Sequence, residues 1–185
     1  MKIILMRHSE PDYSDAFERN YVGQGIDLGQ LTENGIQIAE KASLDSRLDN
    51  AELIVSSPYT RALQTAAIVS KNRKLDIKVE IDLHEWIPDY SFKYTSFDEC
   101  QKAIDLLKEN NGLRPDNSPI NYETIDELFT RAKNALLKYT DYNKIIVVAH
   151  GMVISRFIPP EEIPYCGMYE IDFDKSFKCR PLIVW

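Results

Sequence analysis

Cysteine is scarce in this sequence, and long apolar runs are missing from it. The three cysteines, Cys100, Cys166 and Cys179, form an odd, widely spaced set without a CxxC pair, so a disulfide framework is not indicated. No apolar run approaches the roughly 20 residues of a membrane-spanning helix, and the N-terminus enters a strand-like run with no signal-peptide pattern. We therefore expect reduced thiols in a cytoplasmic protein with no membrane partner.

Basic residues are also fewer than acidic ones, with 22 lysines and arginines against 29 aspartates and glutamates and a formal net charge of −7. This balance disfavours nucleic acid as a partner, because general nucleic-acid binding depends on an extended positive surface. A small basic pocket is still compatible with this negative net charge. The 185 residues suffice for one hydrophobic core, and we expect a single domain over residues 1–185 with a small insertion at about 87–120.

Short apolar runs alternate with helical patterns along the chain. The predicted strands are Ile3–Met6, Leu53–Val55, Ile77–Ile81 and Ile145–Ala149. One predicted helix begins at Thr32 and a second begins near Pro58. Three further helices are predicted over Phe97–Lys108, Tyr122–Tyr139 and residues 152–157. This alternation predicts an α/β fold with a largely parallel sheet. Residues 12–31 lack periodicity and are predicted to be a long functional loop. Met168–Phe173 and Pro181–Trp185 are predicted to form a strand pair at the sheet edge.

Two of the predicted strands end directly in a histidine. Ile3–Met6 runs into Arg7 and His8, and Ile145–Ala149 runs into His150 and Gly151. Loops that leave the carboxyl ends of neighbouring parallel strands converge on one crevice. The two imidazoles are therefore expected to reach one pocket.

The residues expected near this crevice can carry out phosphoryl transfer without a metal. Arg7 and Arg61 each offer a planar guanidinium suited to phosphate, and Arg61 lies in the first turn of a helix whose N-terminus favours anions. His8 and His150 can each act as nucleophile, acid or base. Glu85 follows a strand and stands beside Trp86, so it is a candidate carboxylic acid with a raised pKa.

Other interpretations of these residues stay open at this point. A histidine after a buried strand is most often structural, and a first-turn arginine is often only solvated. His8, His150 and a carboxylate also resemble a metal-binding facial triad, although the neighbouring arginines would repel a divalent cation. Ser9 and Ser57 do not lie in GxSxG motifs, which disfavours a serine hydrolase.

A set of motifs in fixed order spans nearly the whole chain, and with it the chain resembles the histidine phosphatase superfamily, which has the phosphoglycerate mutase-like fold. The motifs are Arg7-His8; Gln24-Gly25 followed by Leu31-Thr32 and Gly35; Ser56-Ser57-Pro58 with Arg61-Ala62 and Gln64-Thr65-Ala66; Leu83 with Glu85; and Ala149-His150-Gly151. The resemblance implies a three-layer α/β/α sandwich with a mostly parallel central sheet.

The resemblance also implies roles for individual residues. His8 is expected to accept the phosphoryl group, and Glu85 to be the proton donor. Arg7, Arg61 and His150 would complete the phosphate pocket. Further substrate-binding residues are expected among Gln24, Ser9 and Gly151, with no metal and no cofactor. Ser9 replaces the glycine usual in the family, which predicts a narrower space behind the nucleophile.

The activity expected from the resemblance is that of a histidine acid phosphatase-like phosphoric monoester hydrolase, with a small phosphorylated substrate as its partner. One alternative is a phosphoglycerate mutase, which uses the same core residues and retains the phosphate for a second transfer. A second alternative is an inactive member that only binds phosphorylated ligands. A homodimer is also possible. The aromatic residues of positions 87–95 either face the leaving group or pack against each other.

Overall fold

The computed structural model describes residues 1–159 and 162–181. Its strands are β1 (Lys2–Arg7), β2 (Pro11–Asp12), β3 (Gln30–Leu31), β4 (Leu53–Ser56), β5 (Ile77–Val79), β6 (Lys144–Ala149) and β7 (Met168–Asp172). Its α-helices are α1 (Ser14–Glu18), α2 (Glu33–Ala42), α3 (Thr60–Arg73), α4 (Phe97–Glu109), α5 (Ile125–Leu137) and α6 (Gly151–Ile154). None of these helices is long and apolar enough to cross a lipid bilayer.

Among the described residues, five strands form the central sheet in the order β5-β4-β6-β1-β7. All neighbouring pairs are parallel except β1 with β7, which is antiparallel. The register pairs Arg7 with Ala149 at the carboxyl ends of β1 and β6, so the residues that follow them emerge side by side. The backbone N–H of His8 donates to the Ala149 carbonyl at 2.9 Å.

Both faces of the sheet are covered, and the central strands accordingly carry unbroken apolar runs between their end residues. Ile3 and Leu5 of β1 point into a core shared with α4, α5 and α6, whereas Ile4 and Met6 point into a second core against α3. Alternate residues of a strand face opposite sides, so an unbroken apolar run requires cover on both. This arrangement confirms the α/β/α sandwich with a mostly parallel sheet.

Several predicted boundaries change in the structure. Residues 12–31 are not a plain loop, since they hold α1, a 3₁₀ helix at Gly23–Leu28 and the β2–β3 ribbon. These elements are too short to show periodicity, and α1 buries only Ala16. The strand predicted at Ile77–Ile81 ends at Val79, because Ile81–Leu83 turn into a 3₁₀ helix.

Helix ends account for most other differences. The helix predicted over Tyr122–Tyr139 begins at Ile125, because the Thr124 side chain and Glu127 form a capping box. The short helix predicted at 152–157 is α6, which starts one residue earlier and ends at Ile154. β7 confirms the strand predicted at Met168–Phe173, whereas residues 182–185 of the predicted partner lie outside the described residues.

Candidate active site

His8 leaves the carboxyl end of β1 as a buried, neutral imidazole with a defined tautomer. Its Nδ1 lies 2.7 Å from the Ser9 carbonyl oxygen, and its Nε2 lies 3.2 Å from Nε of Arg61. A guanidinium can only donate and a carbonyl can only accept, so Nδ1 carries the proton and Nε2 carries the lone pair. Burial, together with the positive charge of Arg61, lowers the pKa of His8 to about 3.

Arg61 reaches this position from the first turn of α3 and contacts both histidines. Its Nε donates to His8, and one terminal nitrogen lies 3.2 Å from Nδ1 of His150. The other terminal nitrogen forms an ion pair with Asp27 at 2.9 Å. The rings of Tyr13 and Tyr59 lie 5.7 and 5.0 Å from the guanidinium carbon. The arginine is therefore held in one orientation at the centre of the site, and it is not the solvated side chain that its sequence position also allowed.

His150 follows β6 and lies beside His8, with ring centroids 5.1 Å apart. Because Arg61 donates to its Nδ1, the neutral ring carries its proton on Nε2, 2.7 Å from the Ser57 hydroxyl. Burial, then the charge of Arg61, holds its pKa well below the ordinary value. The expected convergence of the two strand-end imidazoles is thus observed.

Arg7 lines the same cavity as His8 and carries one donor without a partner in the part of the chain that the structure describes. One terminal nitrogen donates to the Ile163 carbonyl at 2.5 Å, and the guanidinium lies 4.6 Å from the Tyr165 ring centre. Its Nε is buried and has no hydrogen-bond partner among residues 1–159 and 162–181. A buried donor without a partner is costly, and an anion bound here would satisfy it. Gly151 lies next to the Arg7 side chain. A Cβ atom placed on Gly151 would be 4.0 Å from Nε of Arg7.

Glu85 follows β5 and the 3₁₀ helix Ile81–Leu83, and it lines the same cavity as His8. Its carboxylate accepts from the backbone N–H groups of Trp86, at 2.8 Å, and Met152, at 3.3 Å. Burial raises its pKa above the ordinary glutamate value, although the Trp86 N–H and the charge of Arg61 oppose the shift. A carboxyl group with a raised pKa is suited to donate a proton near neutral pH.

Two residues expected to bind substrate lie away from the cavity walls. Ser9 is fully buried, and its hydroxyl donates to the Gly35 carbonyl at 2.6 Å. It supports the turn behind His8, where a Cβ on Gly35 would collide with the Glu10 carbonyl oxygen. Gln24 is exposed, and its amide lies 3.5 Å from the Tyr59 hydroxyl. The structure therefore brings together His8, Arg7, Arg61, Glu85, His150 and Gly151, and leaves Ser9 and Gln24 outside.

Some residues of the site were not predicted from the sequence. Asp27, on the 3₁₀ helix Gly23–Leu28, pairs with Arg61 inside the cavity. Its segment lacks periodicity, and the only available signal was an aspartate between the glycine-rich turn and Leu31. Arg131 and Glu123 form a buried pair behind Glu85. Arg131 could have been noticed as a charged residue between the core positions Leu128 and Ala132 of α5.

The facial-triad alternative finds no geometric support. Within the described part of the chain, no group of three or more histidine, cysteine, aspartate or glutamate side chains is arranged to hold a metal ion. The charge beside both imidazoles is instead that of Arg61, which lies 3.2 Å from Nε2 of His8 and 3.2 Å from Nδ1 of His150. A cavity of about 260 Å³ opens from this cluster, with guanidinium groups at its inner end.

Comparison with known proteins places this chain in a family. Residues 3–159 match the model of the histidine phosphatase superfamily (branch 1). The chain is 29% identical over 159 residues to the uncharacterised phosphatase PhoE of Bacillus subtilis, covering 84% of this chain and 75% of that protein. It is 24% identical over 160 residues to the 2-carboxy-D-arabinitol-1-phosphatase of Triticum aestivum, covering 85% of this chain and 32% of the wheat protein.

Solved structures share the fold at low sequence identity. A mycobacterial glucosyl-3-phosphoglycerate phosphatase superposes with a TM-score of 0.71 at 19% identity, over 95% of this chain and 91% of that one. The α-ribazole phosphatase of Shigella flexneri superposes with a TM-score of 0.69 at 23% identity, over 98% and 96% of the two chains. Because the family model matches most of this chain, the chain belongs to the histidine phosphatase superfamily (branch 1) and has the phosphoglycerate mutase-like fold.

Proposed function

We propose that this chain is a metal-independent phosphomonoesterase that forms a phosphohistidine on Nε2 of His8. The observation that carries the proposal is the fixed tautomer of His8, whose Nδ1 proton is held by the Ser9 carbonyl and whose Nε2 lone pair faces Arg61. With a pKa of about 3, this imidazole is unprotonated at physiological pH, and its Nε2 lone pair can attack phosphorus once the Arg61 N–H turns from it to a bound phosphoryl oxygen. Both curated relatives described above are named as phosphatases, which supports hydrolysis over mutase-type transfer.

In the first half of the reaction, the His8 lone pair attacks phosphorus and the bond to the ester oxygen breaks. Protonated Glu85 gives its proton to the leaving oxygen, so the alcohol departs neutral. Arg7 and Arg61 neutralise the charge on the phosphoryl oxygens. The unpartnered Nε of Arg7 is one donor available for this purpose.

In the second half, the phosphohistidine is hydrolysed by water. The Glu85 carboxylate, now deprotonated, takes a proton from the water as it attacks phosphorus. The bond between phosphorus and Nε2 breaks, inorganic phosphate leaves, and His8 regains its lone pair with Glu85 protonated again. His150 stays neutral in this scheme, and by accepting from Arg61 and donating to Ser57 it holds the guanidinium that faces the phosphate.

The test is turnover of p-nitrophenyl phosphate combined with detection of the intermediate. We expect His8→Ala to lower kcat by at least about 1,000-fold, as loss of a covalent nucleophile does elsewhere. Rapid quenching at neutral or alkaline pH and peptide mapping should find phosphate on His8 of the wild type. Circular dichroism and thermal unfolding show whether the variant is folded. A phosphate adduct on Ser9, Ser57 or His150 would overturn the assignment.

A further inference from the structure

Apart from the groups proposed to act on the phosphate, most side chains that line the cavity are apolar or aromatic. They come mainly from the segment before β3, the residues that follow Glu85 and one face of α4, with Met152 of α6 and a tyrosine from the loop before β7. Three of the aromatic residues are tyrosines, which add hydroxyl groups to the wall. The wall includes Tyr13, Trp86, Pro88, Tyr94, Phe97 and Tyr165.

The charged side chains that line the cavity also indicate which substrates it can bind. Asp27 is the only charged side chain that lines the described cavity besides Arg7, Arg61 and Glu85, which act on the phosphoryl group. No lysine lines it, and residues 160–161 and 182–185 contain neither lysine nor arginine. A second anionic group on a substrate would therefore meet a carboxylate and aromatic rings without a cation to pair with.

The nearest lysines on α4 and the segment before it do not change this balance. Lys93 and Lys102 line a neighbouring cavity of about 320 Å³, together with Glu99 and Asp89. That cavity shares Pro88 and Tyr94 with the first one. The lysines thus face two carboxylates of their own cavity.

Resting on the proposed function, we propose that the substrates are phosphomonoesters of small, uncharged, apolar or aromatic alcohols. A second cavity of about 440 Å³ shares Arg7, Glu85 and Met152 with the first one and adds Glu162 but no lysine, so neither cavity offers a cation to a second anionic group. Apolar walls favour transfer of such a group from water. They disfavour phosphorylated sugar acids, because burying an unpaired carboxylate is costly.

The test compares two esters that differ in one remote charge, benzyl phosphate and 4-carboxybenzyl phosphate. Their reacting atoms are the same, so the ratio of their kcat/KM values reports on the wall. We expect benzyl phosphate to be favoured by about tenfold or more, because the carboxylate loses its hydration without a partner. Glycerol 3-phosphate, which is neutral but polar beyond its phosphate, should also be turned over less efficiently than benzyl phosphate.

A matched pair of variants checks that the wall sets this preference. Phe97 lines the cavity and is half-exposed at the start of α4, so Phe97→Lys adds a cation without emptying the core. It should shift the ratio toward 4-carboxybenzyl phosphate by about fivefold or more. Asp105→Asn raises the net charge equally at an exposed position of the same helix that does not line the cavity, and it should leave the ratio within about twofold.

The outcomes separate this inference from the activity on which it rests. Equal turnover of the two benzyl esters, or preference for the carboxylated one, would overturn the substrate class while leaving hydrolysis intact. Equal shifts in Phe97→Lys and Asp105→Asn would show a general charge effect and would also contradict it. Hydrolysis of none of the three alkyl esters nor of p-nitrophenyl phosphate by the wild type would remove the proposed function, and the inference with it.

Discussion

The guanidinium of Arg131, which is largely buried, forms an ion pair with the buried carboxylate of Glu123, with Nε 2.5 Å from Oε1. The same guanidinium donates to the backbone carbonyls of Asp82, His84 and Glu85 at 2.7, 2.8 and 3.1 Å. On the other side, the Glu123 carboxylate accepts from the Ile87 N–H at 3.2 Å. The pair thus fixes the backbone before and after Glu85, and with it the position of the proposed acid.

Removing one member of this pair should destabilise the protein strongly. We expect Glu123→Ala to lower the free energy of unfolding by about 3–5 kcal/mol, because it leaves the Arg131 charge buried and unpaired. The control is Glu170→Ala, which removes an exposed pair with Lys2 and should cost at most about 1 kcal/mol. Urea unfolding followed by fluorescence measures both. A similar small loss in the two variants would show that the Glu123–Arg131 pair does not stabilise the fold.

The second prediction concerns the protonation of the buried histidines. The pKa of His8 is lowered to about 3 and that of His150 lies well below its usual range, in both cases through burial and then Arg61. Imidazole resonances of these two residues should therefore stay constant between pH 8 and about pH 5 in an NMR titration, with assignments from His8→Gln and His150→Gln. In urea, all three histidines should titrate near pH 6.5, their ordinary value.

The same shifts predict the direction of acid destabilisation. The unfolded chain takes up protons on these histidines near pH 6.5 whereas the folded chain does not, so the unfolded state binds more protons below that value. The contribution of these histidines to the free energy of unfolding should therefore fall as the pH decreases from about 6.5 toward 5, by up to about 1.4 kcal/mol per pH unit for each histidine. The raised pKa of Glu85 acts in the opposite direction, so the histidine contribution is measured as the difference between the wild type and His8→Gln or His150→Gln. Titration of His8 near pH 6.5 in the folded protein would contradict both statements.

The sequence predicted the positions of the strand-end histidines better than those of the residues that line the rest of the cavity. His8 and His150 follow parallel strands that pair in the sheet, so buried strand patterns alone were enough to bring them together. Asp27 and Tyr13 reach the cavity from short or irregular elements, whose positions depend on tertiary contacts and not on periodicity. Ser9 was expected to contact substrate, but its hydroxyl satisfies the Gly35 carbonyl instead, a partner distant in sequence.

The third prediction is that activity does not depend on a metal ion. Arg7 and Arg61 supply the positive charge that a catalytic metal would otherwise bring to the phosphoryl oxygens. Dialysis against EDTA should leave kcat for p-nitrophenyl phosphate within about twofold, whereas removal of a catalytic metal causes a far larger loss. Activity that is lost on dialysis and restored by zinc or magnesium would support the facial-triad alternative.

The last prediction tests Glu85 as the general acid, through the dependence of its effect on the leaving group. Benzyl alcohol is a poor leaving group and needs a proton, whereas p-nitrophenolate departs without one. General acid catalysis contributes roughly 10²–10⁴-fold, so Glu85→Gln should slow phosphoenzyme formation from benzyl phosphate by about that factor and affect p-nitrophenyl phosphate much less. The glutamine keeps the shape of the side chain and can still accept from the Trp86 N–H.

Rapid-quench measurement of phosphoenzyme formation with both substrates gives the ratio that decides the role of Glu85. Asp82→Asn serves as the matched control, because Asp82 is a nearby carboxylate that does not line the cavity, and it should slow the two substrates alike. Burial raises the pKa of Glu85, so the wild-type rate with benzyl phosphate should also fall as the pH rises and the acid loses its proton. Equal losses for both substrates in Glu85→Gln would mean that Glu85 positions the substrate, and Asp82, Asp89 or His84 would then become the candidate acids.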